Sequence, residues 1–217
     1  MQAAARACVI WLHGLGDSGS GWGHLRQELR LPKSTAVEYV HPDAPVSPVT
    51  CNGGYEMTSW MDLTKIPVGP TDPDDEAGLM ASQALVHKEI DDAIARGTPP
   101  EKIVVGGFSQ GGAMALLAGY SYPKPLAGVV SFSGWSTLRD DFQRRVSEGA
   151  NKQTPAFVAH GQFDNVVVPE CGEDSKKRLE AAGVPVTFNT YPMQHSAHPA
   201  QMQALRAWMI EVLKIDE

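Results

Sequence analysis

The sequence has few of the features that mark disulfide-linked or membrane-spanning proteins. Its three cysteines, Cys8, Cys51 and Cys171, are an odd number, lie far apart and lack the spacing of metal ligands. We therefore expect no disulfide framework, and reduced thiols in a cytoplasmic protein are the simpler interpretation. Long hydrophobic runs are also missing. The apolar run that ends at His13 is too short to cross a membrane or to form the core of a signal peptide.

Positive charge is scarce as well. The chain carries 18 Lys and Arg residues against 25 Asp and Glu residues, which gives a formal net charge of −7 at pH 7. Nucleic acids select for clustered Lys and Arg, so we expect no nucleic-acid partner. The metal-binding H-E-x-x-H and the phosphate-binding G-x-x-x-x-G-K-[ST] motifs do not occur, so we predict neither a metal nor a cofactor. Nothing in the pattern indicates the oligomeric state.

What the sequence does contain is a regular alternation of short β-type runs with helical patterns. Several runs are continuously apolar, which is typical of parallel strands buried on both faces. Helices are predicted over Gly78–Arg96, from Gly112 to about Tyr120, and from Pro199 onward. The alternation predicts a doubly wound, mostly parallel α/β sheet in a single domain over residues 1–217. The predicted strands are Cys8–His13, Ala36–Val40, Lys102–Gly106, Ala127–Phe132, Ala156–His160 and Val184–Tyr191.

Residues 41–77, here called the covering segment, do not fit this alternation. The segment is rich in proline and shows no convincing periodicity. A long irregular segment inside a compact domain is usually functional or disordered. Its apolar residues, among them Trp60 and Leu63, argue against disorder. We therefore expect an ordered excursion that covers part of a functional site.

The stretch GGFSQGGAMALLAGY, residues 106–120, carries the chemical signal. Gly107-Phe108-Ser109-Gln110-Gly111 fits G-x-S-x-G between a predicted strand and a predicted helix. This context is typical of a nucleophile elbow, a sharp turn that presents a serine hydroxyl at the carboxyl edge of a sheet. Glycines are needed there because the strand and helix backbones pass too close for a Cβ atom. A glycine-rich turn with an incidental serine is the alternative.

A serine nucleophile needs a base, which in this fold follows the acid in the chain. His195 and His198 lie in one loop near the C-terminus, between the last predicted strand and the last helix. We favour His195, because His198 directly precedes Pro199 and fits the position of a helix N-cap. His160 falls within or at the end of a strand, where a structural role is expected.

The acid that orients the base is expected between the serine and the histidine in the chain. Asp164 comes directly after a buried strand, a position that reaches the carboxyl edge of the sheet. Asp140 and Asp141 lie in a polar, helix-like stretch, and Asp174 lies within a charged helix. We therefore predict Asp164, with a plain turn residue as the alternative role.

Acyl transfer also requires two N–H donors for the negative charge that develops on the carbonyl oxygen. One donor is expected from the residue after the nucleophile, Gln110, and the other from a loop after an early strand. WLHGLGDSGSGW, residues 11–22, supplies such a loop, and Leu15 is the candidate donor within it.

Six ordered blocks of the sequence resemble one family. LHGLGDSGSGW, HPDAPVSPVT, NGGYEMTSWMD, GGFSQGGAMAL, HGQFDNVVVP and YPMQHS span nearly the whole chain. Together they are similar to the acyl-protein thioesterase/lysophospholipase group, also called the phospholipase/carboxylesterase family, of small α/β hydrolases. The resemblance implies Ser109 as nucleophile, Asp164 as acid and His195 as base, with Leu15 and Gln110 as oxyanion donors.

The resemblance also implies a substrate channel. Trp60 falls on the family's near-site aromatic residue, with simple core packing as the alternative. Leu63, Ile66 and Val68 of the covering segment are candidate walls for an acyl chain. Protein S-depalmitoylation with carboxylesterase and lysophospholipase activity is the favoured interpretation, and a short-chain carboxylesterase without a protein substrate is the alternative.

The implied mechanism is acyl transfer to water. His195 takes the proton of Ser109, which attacks an ester or thioester carbonyl, and water activated by His195 then releases the acyl group. The substrate is therefore an acyl ester or thioester, S-acylated proteins among the candidates. A non-catalytic binding module on a hydrolase scaffold is the competing hypothesis, and labelling of Ser109 by a fluorophosphonate separates the two.

Overall fold

The computed structural model describes residues 6–216, and within that range the chain forms eight strands and six α-helices. The strands are β1 (Arg6–Leu12), β2 (Ala36–Val40), β3 (Val46–Val49), β4 (Tyr55–Thr58), β5 (Ile103–Phe108), β6 (Gly128–Phe132), β7 (Ala156–Gly161) and β8 (Val186–Tyr191). The helices are α1 (Leu25–Leu29), α2 (Glu76–Ala95), α3 (Gln110–Ser121), α4 (Arg139–Glu148), α5 (Pro169–Ala181) and α6 (Pro199–Leu213). Residues 1–5 and 217, the ends of the predicted domain, lie outside the described part.

Six of the strands form one sheet, in the order β2-β1-β5-β6-β7-β8, and every neighbouring pair is parallel. The register pairs Leu12 with Gly107 and Phe108 with Phe132. In a parallel sheet all carboxyl ends share one edge, so the loops after β1, β5, β7 and β8 meet there. The predicted doubly wound sheet is therefore confirmed, with strand ends shifted by one or two residues.

Alternate residues of each strand point to opposite sides of the sheet, and each side packs against its own layer of helices. Ile10 and Leu12 of β1 belong to the core beneath α2 and α3, whereas Val9 and Trp11 belong to the core beneath α1 and α6. All of these side chains are fully buried. Among the described helices, none is both long and apolar enough to span a bilayer.

The covering segment contains regular structure that its sequence pattern does not reveal. β3 and β4 pair as an antiparallel hairpin, with Val46 opposite Thr58. Each strand has only four residues and Pro48 lies in one of them, so alternation is too short to detect. The expectation of an irregular segment is wrong for this hairpin. Helix α2 also begins two residues earlier than predicted, because Asp75 caps it by accepting a hydrogen bond from the N–H of Gly78.

Candidate active site

Ser109 occupies a sharp turn between the end of β5 and the start of α3. Its backbone has a positive φ of 58° with ψ −123°, a conformation that residues other than glycine rarely adopt. A Cβ atom on Gly107 would lie 2.3 Å from the carbonyl oxygen of Gly111, and one on Gly111 would lie 2.1 Å from that of Leu12. Only glycine fits at these two positions, which explains the G-x-S-x-G spacing. The predicted elbow is confirmed, and α3 begins at Gln110 rather than at Gly112.

His195 joins Ser109 to Asp164 in a chain of two hydrogen bonds. Its Nε2 atom lies 2.9 Å from Ser109 Oγ, and its Nδ1 atom lies 2.7 Å from Asp164 Oδ2. Asp164 is 4% exposed and Ser109 is 8% exposed, so the chain is largely shielded from water. The Phe108 ring lies 4.7 Å from the His195 ring, centroid to centroid, and limits its movement. The structure therefore brings together the three side chains that the sequence predicts to meet.

The second oxygen of Asp164 is bound by the backbone. Asp164 Oδ1 accepts hydrogen bonds from the N–H groups of Val166 and Val167, each at 2.9 Å. Burial by itself would raise the pKa of Asp164, but the hydrogen bonds from His195, Val167 and Val166 lower that pKa below its ordinary value. The carboxylate is thus ionised and fixed in one orientation toward the imidazole.

The alternative residues considered from the sequence have other contacts. His198 caps α6, as expected, with its Nδ1 atom accepting a hydrogen bond from the N–H of Ala200 at 3.1 Å. His160 lies within β7 and its Nε2 atom is 2.9 Å from the carbonyl oxygen of Val167. Asp141 pairs with Arg144 and Arg145, on the surface of α4. His160 Nε2 also lies 3.6 Å from Asp164 Oδ2, beyond hydrogen-bond distance, so within the described residues none of the three is a member of the hydrogen-bonded chain at Ser109.

The two candidate oxyanion donors flank Ser109. Gln110 is the first residue of α3, where backbone N–H groups have no acceptor within the helix. Leu15 follows the end of β1, and Gly14 beside it passes so close that a Cβ atom there would lie 3.4 Å from Ser109 Cβ. The next peptide is fixed by a 2.9 Å hydrogen bond from Gly16 N–H to the Thr58 carbonyl oxygen. Both segments therefore bring backbone close to the serine hydroxyl.

A cavity of about 320 Å³ opens beside Ser109 and His195. Its walls are mostly apolar. Leu63, Ile66 and Val68, the candidate wall residues of the covering segment, all line it. Further lining residues that sequence reasoning missed come from several elements: Met57, Phe108, Trp135, Val166 and Val167. Val166 and Val167 belong to an apolar run that begins two residues after Asp164, and that run is the one sequence signal for any of these five residues.

Trp60 does not line this cavity and is instead core. It is 1% exposed, and its ring lies 5.4 Å from that of His13, centroid to centroid. Its indole N–H donates to the His13 carbonyl oxygen at 2.9 Å. The packing alternative for this residue fits the structure, and direct contact with an acyl chain does not.

Two of the three cysteines are poorly suited to nucleophilic chemistry. Cys8 and Cys171 are free and buried, and burial raises the pKa of each thiol to about 12. Such thiols stay protonated near neutral pH, and a protonated thiol is a weak nucleophile. The described residues also contain no group of three His, Cys, Asp or Glu side chains placed to hold a metal ion.

A parallel sheet with a serine elbow, and with histidine and aspartate on the following loops, defines an α/β hydrolase of the serine type. The chain belongs to the family described as Phospholipase/Carboxylesterase, which matches residues 1–213. A probable carboxylesterase of Oryza sativa subsp. japonica is 40% identical over 221 residues, covering 100% of this chain and 83% of the rice protein. Acyl-protein thioesterase 1 of Neurospora crassa is 39% identical over an aligned region that covers 98% of this chain and 90% of the Neurospora protein.

Solved structures agree with this assignment. The crystal structure of SOBER1 from Arabidopsis thaliana superposes with a TM-score of 0.91 at 35% identity, covering 96% of this chain and 100% of that one. The carboxylesterase and thioesterase relatives are hydrolases, so the fold, the family and the hydrogen-bonded serine agree on the enzyme class.

Proposed function

We propose that this protein hydrolyses acyl esters and thioesters through a covalent acyl-enzyme, with Ser109 as nucleophile and His195 as general base. The observation that carries the proposal is the Ser109–His195–Asp164 chain, with bonds of 2.9 and 2.7 Å, beside an apolar cavity. Asp164 holds the imidazole with its Nδ1 atom protonated, so Nε2 is free to accept the serine proton.

The reaction then proceeds in two balanced halves. Ser109 Oγ attacks the acyl carbonyl carbon while its proton moves to His195 Nε2, and the oxyanion is held by the N–H groups of Leu15 and Gln110. The alcohol or thiol leaves with that proton. Water next gives a proton to His195 and attacks the acyl-enzyme, and Ser109 recovers its hydrogen as the carboxylic acid departs.

The cavity supports an upper limit on the enclosed acyl chain. A protein cavity of about 150 Å³ is known to hold benzene, a six-carbon ligand. By that scale, the 320 Å³ beside Ser109 encloses roughly a dozen carbons at most. An S-acylated protein with a longer chain would leave the chain end outside, which supports the second candidate function, hydrolysis of shorter carboxylic esters.

A matched series of esters and thioesters with two to sixteen acyl carbons tests both proposals. We expect kcat/KM to rise with chain length, by roughly a factor of four per buried methylene at about 0.8 kcal/mol each, and to stop rising before sixteen carbons. A kcat/KM that keeps rising up to sixteen carbons would instead favour long-chain S-acylated proteins over shorter esters. Turnover by Ser109→Ala equal to that of the natural chain would refute the mechanism itself.

A further inference from the structure

Trp60 connects the two segments that carry the candidate oxyanion donors. Its indole N–H donates to the carbonyl oxygen of His13 at 2.9 Å, on the segment that leads to Leu15. Its backbone N–H donates to Gln110 Oε1, also at 2.9 Å. Since Trp60 is 1% exposed, water does not compete for either bond. One residue thus spans both sides of the serine turn.

The Gln110 side chain points away from the reacting centre and into this network. Gln110 Nε2 donates to the carbonyl oxygen of Met61 at 2.7 Å and to Ser59 Oγ at 3.1 Å. The residue is fully buried. Three hydrogen bonds with residues 59–61 therefore fix the first residue of α3, whose backbone N–H is the candidate donor beside Ser109.

His13 fixes the other donor through the orientation of one peptide plane. His13 Nε2 accepts a hydrogen bond from the N–H of Ala44 at 3.0 Å, so the ring proton is on Nδ1. That Nδ1–H group donates to the carbonyl oxygen of Gly14 at 2.7 Å. In a trans peptide the C=O and the following N–H point in opposite directions. With the Gly14 carbonyl turned toward the imidazole, the Leu15 N–H is directed the opposite way.

We propose that Trp60, together with His13 and the Gln110 side chain, is a positioning unit that sets the spacing and direction of the two oxyanion N–H groups. The inference rests on the proposed function, because it assigns the unit to those donors. Oxyanion donors act only when they lie about 2.7–3.1 Å from the developing charge, so a small displacement of either segment weakens both contacts. None of the three side chains is proposed to touch the acyl chain.

Trp60→Phe is the informative variant, because it keeps a ring in the core and removes the indole donor to His13. We expect kcat to fall about 10- to 100-fold with KM changed less than about 2-fold, since the lost interaction acts in the transition state. Affinity for a boronic-acid transition-state analogue should fall by the same factor as kcat/KM. Trp208→Phe is the matched control, because Trp208 packs on Phe157 on the opposite face of the sheet.

Gln110→Ala keeps the backbone N–H and removes the other end of the unit, so it provides an independent test if Trp60→Phe folds poorly. A similar loss of kcat is expected, with the double variant losing far less than the product of the two single losses. Variants that are less stable but keep wild-type kcat and analogue affinity would overturn the positioning role. Fluorophosphonate labelling of the wild type separates the proposals, because an unlabelled Ser109 refutes the proposed function and a labelled one leaves only the positioning unit in question.

Discussion

Asp164→Asn changes one atom and should nearly abolish turnover without unfolding the protein. The carboxylate oxygen Oδ1 accepts two backbone N–H groups, from Val166 and Val167, and only an oxygen can replace it there. The new amide nitrogen must therefore take the place of Oδ2, 2.7 Å from His195 Nδ1. The amide would then donate to Nδ1, which leaves the ring proton on Nε2, facing Ser109.

An imidazole with its proton on Nε2 cannot accept the hydrogen of Ser109. The loss expected for this wrong tautomer in a serine triad is about 10⁴-fold in kcat, equivalent to roughly 5 kcal/mol of activation free energy. The assay is steady-state hydrolysis of a chromogenic ester, with thermal unfolding measured in parallel. We expect the unfolding temperature of Asp164→Asn to stay close to that of the natural chain.

Asp164→Ala provides the contrast. It removes both acceptors, so the N–H groups of Val166 and Val167 lose their partner at roughly 1–3 kcal/mol each. Both variants should lose activity, whereas the alanine variant alone should lose stability. A folded Asp164→Asn enzyme with more than about a tenth of the natural kcat would refute the reasoning.

Two further predictions concern stability. Gly111→Ala should destabilise the fold by about 3 kcal/mol or more in urea denaturation, because its Cβ would lie 2.1 Å from the Leu12 carbonyl oxygen. In the control Gly69→Ala, the new Cβ meets nothing nearer than 3.7 Å, so its free energy of unfolding should stay within about 0.5 kcal/mol of the natural value. Equal effects of the two changes would contradict the close-approach argument. Burial lowers the pKa of His160, so below about pH 6.5 the unfolded chain binds a proton that the folded chain rejects. The free energy of unfolding should therefore fall as the pH is lowered from 7 to 5. This group contributes at most about 1.4 kcal/mol per pH unit to that fall. His160→Gln should show a shallower decline, and an unchanged slope would count against the assignment.

The sheet could be predicted from the sequence because continuous apolar runs and glycine stops are local signals. Ser109 was likewise found from a local pattern, since the glycines that the elbow requires are its immediate neighbours. His195 and Asp164 needed only chain order and the ends of two strands. In each case the deciding information is a local pattern or the order of residues along the chain.

The missed features depend on contacts between distant segments. The β3–β4 hairpin is too short for its alternation to be visible, and Trp135 reaches the cavity only through the packing of its loop. The place of Trp60 could not be predicted from its position in the sequence, because an indole between Ser59 and Met61 fits either a substrate wall or a core. Its bonds to His13 and Gln110 join positions that are 47 and 50 residues away.

Covalent labelling at a single residue tests the central assignment most directly. The protein is treated with a fluorophosphonate, the intact mass is measured, and the modified peptide is sequenced. The expected result is one adduct, on Ser109, formed in step with the loss of esterase activity and much more slowly in His195→Ala. Complete inactivation with the adduct on another residue, or full esterase activity with Ser109 modified, would contradict the account.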